Sequence, residues 1–276
     1  MNKNFKSVFL SDIDGTLSDR NFNIHPKVIA AAAAYMESGG LLVLSTGRAP
    51  VATEQVARLM NITHPCIVYS GAGIFDFIRG RLLWSSPMGE EVLAAVQYVL
   101  DQYTDVSVQV FTDVGIYLLQ SNDILDQKAV RAERGIRIPE VSFVKGRILK
   151  ILLTGADVGD LERCGTWPVW RGTTYRFASR HFVEVVSEHT DKSVAMAELL
   201  RLYDMNLGQT FAAGDAMTDY TMLVSSGYSF VPANAPENLK KAGDRIIEIP
   251  EQGGMAAAFQ MAQEYNEKGE ILWEEQ

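Results

Sequence analysis

Short apolar runs, each followed by a stretch of helical character, are the feature that most limits how this chain can fold. Near its start the runs are "SVFLS" (7–11), "LLVLSTGR" (41–48) and "CIVYSG" (66–71), and helices are predicted between them over 25–40 and 50–61. These runs show little alternation of polar and apolar residues, which is typical of parallel strands covered on both faces. The pattern predicts a doubly wound, mostly parallel α/β sheet.

The middle of the chain has a different texture. Residues 74–84 predict a hairpin, and helices are predicted over 88–102 and 123–133. Strands predicted within 141–153 and 174–187 alternate apolar and polar residues, as in "YRFASRHFVEVVS". Such alternation is typical of a sheet with two different faces. We therefore expect an α+β unit here.

From about residue 190 the parallel pattern returns, with a helix predicted over 191–204 and a strand over 210–215. The simplest architecture is an α/β catalytic core made of residues 1–84 and 188–276. An inserted α+β cap domain, residues 85–187, would interrupt this core after its third strand.

Composition excludes several classes of function. The net charge of −9 argues against a nucleic-acid or anionic-membrane partner, since either would need a basic face. Only Cys66 and Cys164 are present, so no disulfide framework is expected. No apolar run approaches the length of a membrane span, and the first fifteen residues lack a signal-peptide core. We expect a cytoplasmic protein that is a monomer or a weak homodimer.

Several polar residues share one position in this pattern, the carboxyl end of a core strand or the start of a core helix. They are Asp12, Asp14, Ser45, Thr46, Lys192, Asp215 and Asp219. Ligands of open α/β sheets bind at the carboxyl ends of the strands, so these residues should converge on one pocket. Four aspartates and a lysine predict a cation site there, and hard oxygen ligands favour Mg²⁺.

The order of these stretches resembles the haloacid dehalogenase-like hydrolase superfamily, and within it the Cof-type phosphatase branch with a large α/β cap. The stretch "DIDGTL" (12–17) matches the first motif of that family, "STGR" (45–48) the second, Lys192 the third and "GDAMTD" (214–219) the fourth. The stretch "ANAPENLKKAGD" (233–244) resembles a further one common in the branch. Four motifs in this order form a specific signal.

The resemblance implies a Mg²⁺-dependent phosphatase that hydrolyses a small phosphorylated metabolite, with a sugar phosphate as the expected kind. Asp12 would be the nucleophile that forms an aspartyl-phosphate, and Asp14 the general acid and base. Thr46 would hold phosphoryl oxygens, and Lys192 would neutralise charge. The implied metal ligands are Asp12, Asp14 through its backbone carbonyl, and Asp215, with Asp219 holding the metal directly or through another ligand. The implied substrate-binding residues are Gly47, Arg48 and Asn234.

Purely structural roles remain open for some of these residues. Lys192 could be a solvated residue of a helix that Asp191 caps, and Asp219 could serve the first turn of a helix, where acids are favoured. Arg48 could be a surface ion-pair partner. Two positions depart from the family pattern, which usually has asparagine where Ser70 and Thr218 stand.

Two other functions also remain open. One is a phosphotransferase or phosphomutase, in which a second alcohol accepts the phosphoryl group. The other is a non-catalytic metabolite-binding protein on the same fold. Substrate specificity should lie in the cap, which we expect to act as a mobile lid. The candidate residues there are Arg147, Trp167, Trp170, Arg171, Tyr175, Arg176 and Arg180.

Overall fold

A computed structural model describes residues 5–128, 133–156 and 170–269. Its strands are β1 (Ser7–Ser11), β2 (Gly40–Leu44), β3 (Cys66–Val68), β4 (Gly73–Asp76), β5 (Arg81–Ser85), β6 (Ser107–Thr112), β7 (Ile116–Gln120), β8 (Ile136–Arg137), β9 (Ile148–Thr154), β10 (Thr173–Ser179), β11 (Phe182–Ser187), β12 (Thr210–Ala213), β13 (Tyr228–Pro232) and β14 (Arg245–Ile247). Its α-helices are α1 (Pro26–Glu37), α2 (Pro50–Leu59), α3 (Val92–Gln102), α4 (Asp123–Lys128), α5 (Lys192–Tyr203), α6 (Tyr220–Ser225), α7 (Glu237–Lys240) and α8 (Met255–Lys268).

The core sheet is parallel throughout and has the strand order β14-β13-β12-β1-β2. Every residue of β1 and β2 is buried, because helices cover both faces of the sheet. On one face Phe9 packs with α1 and α8, and on the other Leu10 packs with α5 and α6. The predicted fold class, a doubly wound α/β sheet with an α+β insert, is confirmed.

A second sheet, with the order β10-β11-β9-β6-β7-β8, is antiparallel except where β7 meets β8. One face carries apolar side chains such as Val110 and Val185, which pack against α3. Side chains of the alternate positions belong to the other face. Phe111 of that face packs against Val68 and Ala72, which belong to the segment around β3. Because side chains alternate between the two faces along each strand, one face of this sheet packs against α3 and the other packs against the core.

The structure differs from the sequence prediction at two strands. Residues 141–143 form a 3₁₀ turn, and the strand predicted there begins only at Ile148. The third core strand is short and belongs to a separate antiparallel sheet, β3-β4-β5, which touches the end of β2 through one bridge between Ser45 and Ile67. The chain leaves β3 through Tyr69 and Ser70, whose φ angles of 55° and 57° end the strand.

The limits of core and cap, 1–84 with 188–276 and 85–187, stay a prediction; they fall at β5 and directly after β11. Within the three described ranges, none of the helices is both long enough and apolar enough to cross a bilayer.

Candidate active site

Asp12 stands directly after β1, where its N–H donates to the carbonyl of Ala213 on the neighbouring strand β12 (2.9 Å). Its carboxylate is buried and accepts a hydrogen bond from Lys192 Nζ at 2.7 Å. The same ammonium group donates to Asp219 Oδ1 at 2.5 Å. One buried cation thus joins Asp12 and Asp219, and it comes from a helix that begins 180 positions after Asp12.

The start of helix α5 explains how Lys192 reaches this place. Asp191 caps the helix, since its carboxylate accepts from the N–H groups of Ser193 (2.7 Å) and Val194 (3.0 Å). Lys192 is therefore the first residue of α5, and its side chain is only 2% exposed. Asp191 therefore caps the helix, as the structural alternative predicted. Lys192 is buried, however, and is not the solvated residue which that alternative required.

Three carboxylates meet at the end of the core sheet. Oxygens of Asp12, Asp215 and Asp219 all lie within 4.8 Å of one another. Asp219 is fully buried and also accepts from the N–H of Ala216 (3.0 Å), so it caps its own turn as well. Asp215 accepts from Thr16 Oγ1 at 3.1 Å. Oxygen ligands gathered in this way are the kind that Mg²⁺ prefers.

Burial and mutual repulsion govern the charge of this cluster. Burial raises the pKa of Asp12 well above its ordinary value; Lys192 opposes this, and Asp219, Asp215 and Asp14 add to it. Burial and then Asp219 raise the pKa of Asp215 to about 6. The pKa of Lys192 is raised, because Asp12 and Asp219 outweigh its burial. Lys192 stays charged, and a further cation would relieve the repulsion that remains.

Gly15 allows the loop after β1 to pass close to this cluster. Its φ is +88°, and a Cβ atom at this position would lie 2.2 Å from Asp215 Oδ2. Asn234 supports the same loop, because its side-chain amide donates to the carbonyl of Gly15 at 3.0 Å. Asn234 is exposed and faces a neighbouring depression that Asp14 and Asp215 also line.

Asp14, the fourth predicted metal ligand, is held by Arg48. Arg48 Nε donates to Asp14 Oδ2 at 2.8 Å, and Nη2 donates to the other carboxylate oxygen. The Arg48 guanidinium also lies 5.3 Å from the ring centre of Phe22. Arg48 thus forms a bidentate ion pair with both carboxylate oxygens of Asp14, a geometry that the guanidinium group is suited to form.

Thr46 and Gly47 lie where the chain leaves β2. Thr46 is buried, its N–H donates to the carbonyl of Ile67 (3.0 Å), and its hydroxyl accepts from the N–H of Arg48 (3.2 Å). A Cβ atom on Gly47 would lie 2.9 Å from Glu184 Oε1 of strand β11. The absence of a side chain at Gly47 therefore lets the second sheet approach the core.

A cavity of about 230 Å³ lies between the core and the second sheet. From the core it is lined by Asp12, Asp14, Thr46, Gly47, Arg48, Ser70, Lys192, Ala216 and Thr218. From the cap it is lined by Gln109, Glu133, Lys150, Leu152, Phe182 and Glu184. The predicted catalytic residues therefore share one cavity, and so do Ser70 and Thr218, the two departures from the family pattern.

Sequence reasoning missed Lys150 and Glu184. Both are buried, and they form an ion pair of 3.0 Å across the cap face of the cavity. A signal for them was available, since a lysine within "ILKILL" and a glutamate within "FVEVVS" are charges inside apolar strands. Charged residues are almost never fully buried unless they are paired.

The cap residues predicted to select substrate lie elsewhere. Arg147 pairs with Asp113 (2.8 Å), and Arg176 donates to the carbonyl of Thr190 (2.8 Å). Trp170 and Tyr175 pack in the core of the cap, and Arg171 and Arg180 are exposed. Within the described residues, none of these six lines the cavity. Trp167 lies outside the described residues.

A model of haloacid dehalogenase-like hydrolases matches residues 9–259. The chain belongs to this family. Among its relatives is the HMP-PP phosphatase of Escherichia coli strain K12, which is 26% identical over 235 residues, or 83% of this chain and 85% of the relative.

Solved structures share the fold of this haloacid dehalogenase-like hydrolase. One, from Bacteroides thetaiotaomicron, carries the same family name; it has a TM-score of 0.81 and 22% identity over 92% of this chain and 98% of the other. A sugar phosphatase of subclass IIB has a TM-score of 0.80 and 19% identity over 92% and 98%. The predicted family and the predicted enzyme class, a phosphatase, are confirmed.

Proposed function

We propose that the chain is a Mg²⁺-dependent phosphatase that hydrolyses a small phosphomonoester through an aspartyl-phosphate on Asp12. The observation that carries this proposal is the buried Lys192, which contacts both Asp12 and Asp219 and lines the cavity together with Asp12. Phosphoryl transfer asks a protein mainly for positioning and for neutralisation of charge. A lysine among three carboxylates, open to a cavity on one side, supplies both.

In the first step an oxygen of Asp12 attacks phosphorus. The bond between phosphorus and the ester oxygen breaks, and the leaving oxygen takes a proton from the carboxyl group of Asp14. Carboxylates are competent nucleophiles for such covalent steps. Asp14 would be freed for this role when it leaves the fork of Arg48. Lys192 would balance the negative charge that gathers between Asp12 and the transferred group.

In the second step Asp14, now a carboxylate, takes a proton from a water molecule as that water adds to phosphorus. The bond between phosphorus and the Asp12 oxygen breaks, inorganic phosphate leaves, and Asp12 is restored. Asp14 is exposed at the mouth of the site, which supports its access to water. Proton transfer by a side chain placed in this way is ordinary general acid–base catalysis.

The metal would be held by Asp12, Asp215 and Asp219, together with Asp14 as the family resemblance implies. When bound, Mg²⁺ would neutralise phosphoryl oxygens and so favour attack by a carboxylate. Thr46 and Gly47 are proposed to hold phosphoryl oxygens at the end of β2, and Arg48 to bind substrate once Asp14 is released. Asn234 is proposed to bind substrate from the neighbouring depression. A monomer or weak homodimer in the cytoplasm remains our expectation.

The test is release of inorganic phosphate from a panel of phosphorylated metabolites by the purified protein. We expect activity with Mg²⁺, loss of activity in EDTA, and little recovery with Ca²⁺, whose looser coordination suits the reaction poorly. Asp12→Asn should remove turnover, because an amide cannot form the acyl-phosphate, while exposed Asp101→Asn serves as the control. Full activity in EDTA would show that the reaction does not require a metal.

Two outcomes would favour the alternatives. Transfer of phosphate to added sugars faster than its release would indicate a phosphotransferase or phosphomutase. Tight binding of a metabolite without turnover would indicate a binding protein.

A further inference from the structure

A buried ion pair at the cap face of the cavity takes no part in the steps proposed above. Lys150 of β9 and Glu184 of β11 have side chains only 3% and 8% exposed, and Lys150 Nζ lies 3.0 Å from Glu184 Oε1. Both residues also contact the core. Lys150 donates to the carbonyl of Gly47 at 2.6 Å, and Glu184 accepts from the hydroxyl of Ser70. Burying two charges has a large desolvation cost, so their presence calls for an explanation.

The contacts of Lys150 leave little of its hydrogen-bonding capacity for a ligand. An ammonium group has three donors, and two of them serve the Gly47 carbonyl and Glu184. The ring of Phe111 lies 4.5 Å from Nζ, which is within the range of a cation–π contact. The positive charge of Lys150 is thus directed toward groups of the protein.

Glu184 can accept further hydrogen bonds. Burial raises its pKa, but Lys150 and the Ser70 hydroxyl outweigh burial and hold the pKa below its ordinary value, so the group is a carboxylate. Among the residues that the structure describes, each of its oxygens accepts one hydrogen bond, which leaves a second lone pair available. Since Glu184 lines the cavity, that capacity is placed where a ligand would bind.

The other cap residues that line the cavity also offer hydrogen-bond acceptors. Gln109 uses its amide N–H groups on the carbonyls of Glu133 (2.6 Å) and Arg134 (3.1 Å), which leaves its side-chain oxygen as an acceptor. Glu133 adds a second carboxyl group, and Leu152 adds apolar surface. The cap therefore offers hydrogen-bond acceptors to a bound molecule, and the negative charge on this face is that of Glu184, since burial raises the pKa of Glu133.

Resting on the proposed phosphatase function, we propose that Glu184 selects the leaving group of the substrate. It accepts hydrogen bonds from hydroxyl or amino groups of that leaving group and repels a second phosphate or a carboxylate. The substrate class is then a phosphate monoester of a small polyhydroxylated or amino-bearing molecule with no second anionic group. The cavity of about 230 Å³ fits a small molecule, since it is below the range of about 300–1,000 Å³ typical of drug-sized ligands.

Ser70 acts as a positioning residue for Glu184. Its φ of 57° and ψ of 30° lie in the left-handed region, which asparagine enters more readily than serine. Such conformations persist where the surroundings determine them and are common at functional sites. The hydroxyl of Ser70 donates to Glu184, so a serine here orients the carboxylate that faces the ligand.

The test compares two probes that differ at one end only, sorbitol 6-phosphate and 6-phosphogluconate, whose terminal groups are a hydroxymethyl and a carboxylate. With Mg²⁺ present, kcat/KM of the unmodified protein should be at least about tenfold higher for sorbitol 6-phosphate, because a site built to bind a donor rejects an anion. In Glu184→Gln this ratio should fall about tenfold or more. Glu140→Gln, the same change at an exposed cap residue, should leave the ratio as it is.

Two variants at Ser70 test the positioning role. Ser70→Ala should raise KM for sorbitol 6-phosphate more than it lowers kcat, because it removes only the bond that orients Glu184. Ser70→Asn suits the backbone better, yet it should raise the same KM, since a larger amide displaces the carboxylate. A merely structural role for Ser70 predicts instead that asparagine gives normal KM.

Hydrolysis of p-nitrophenyl phosphate separates failure of this inference from failure of the phosphatase function. If that ester is hydrolysed and the ratio between the two probes is the same in Glu184→Gln as in the unmodified protein, Glu184 does not select the leaving group. If the ester is hydrolysed and sorbitol 6-phosphate is not, the substrate class is wrong. If nothing is hydrolysed, the phosphatase function fails, and this inference fails with it.

Discussion

Replacing Lys192 by methionine should destabilise the core as well as impair catalysis. The ammonium group lies 2.7 Å from Asp12 and 2.5 Å from Asp219, and all three side chains are buried. Lys192→Met keeps the apolar stem of the side chain but leaves two buried carboxylates without their cation. Removing one partner of a buried pair destabilises proteins by about 3–5 kcal/mol. For a chain of this size such a loss lowers Tm by about 6–20 °C.

The assay is thermal unfolding of the unmodified protein and Lys192→Met, each with EDTA and with Mg²⁺. A divalent cation among the same carboxylates should restore part of the lost stability, and a ligand at a hundred times its Kd stabilises by about 2.7 kcal/mol. Mg²⁺ should therefore raise Tm of both proteins. Phosphate release by the variant should stay very low even with Mg²⁺, because the lysine is also proposed to neutralise the transferred group.

Lys268→Met is the matched control, since Lys268 pairs with Glu264 at 3.3 Å on an exposed helix face. Exposed pairs contribute about 0–1 kcal/mol, so Tm should barely change. If Lys192→Met unfolds at the same temperature as this control in EDTA, the lysine does not neutralise the buried carboxylates, and our account of the site is wrong.

Gly15→Ala should weaken the response of Tm to Mg²⁺, because the new Cβ would lie 2.2 Å from Asp215 Oδ2 at a φ of +88°; a normal response would contradict a close approach of these groups. Arg176→Ala removes the bond to the Thr190 carbonyl and should slow all substrates by a similar factor; a selective effect on one substrate would place Arg176 in recognition. Burial raises the pKa of Cys66 to about 12, so peptide mapping after iodoacetamide treatment should find this thiol unmodified in the folded protein; rapid labelling would refute its burial.

The polar cluster at the end of the core sheet could be predicted from sequence because a parallel sheet leaves few places for polar groups. Its strands are buried on both faces, so Asp12 and Asp215 fit only where the strands end. Lys192 was harder to interpret, since its capping neighbour Asp191 explains the local sequence by itself. Only the contacts with Asp12, which follows β1, and with Asp219, in the turn before α6, show where the lysine points.

The cap side of the cavity could not be predicted in the same way. Alternation along β9 and β11 indicates which side chains share a face, but not what lies opposite that face. Glu184 meets Lys150 from 34 residues away and Ser70 from 114 residues away. The early end of β3 was missed for a related reason. It depends on positive φ angles at Tyr69 and Ser70, two residues that do not usually indicate such a turn.

The interior position of β1, between β2 and β12 of the core sheet, has a consequence for how the protein is made. One neighbour of β1, strand β2, follows within about 35 residues, but the other, β12, pairs Val8 with Thr210. At about 5–20 residues per second, a ribosome needs roughly 10–40 s to deliver that second neighbour. During this time the edge of β1 that will pair with β12 is open to other extended chains.

The cap, whose strands lie wholly between β1 and β12 in the sequence, is complete by then. Lys192, Asp215 and Asp219 emerge after it, so Asp12, the proposed nucleophile, is synthesised well before the groups that would make it reactive.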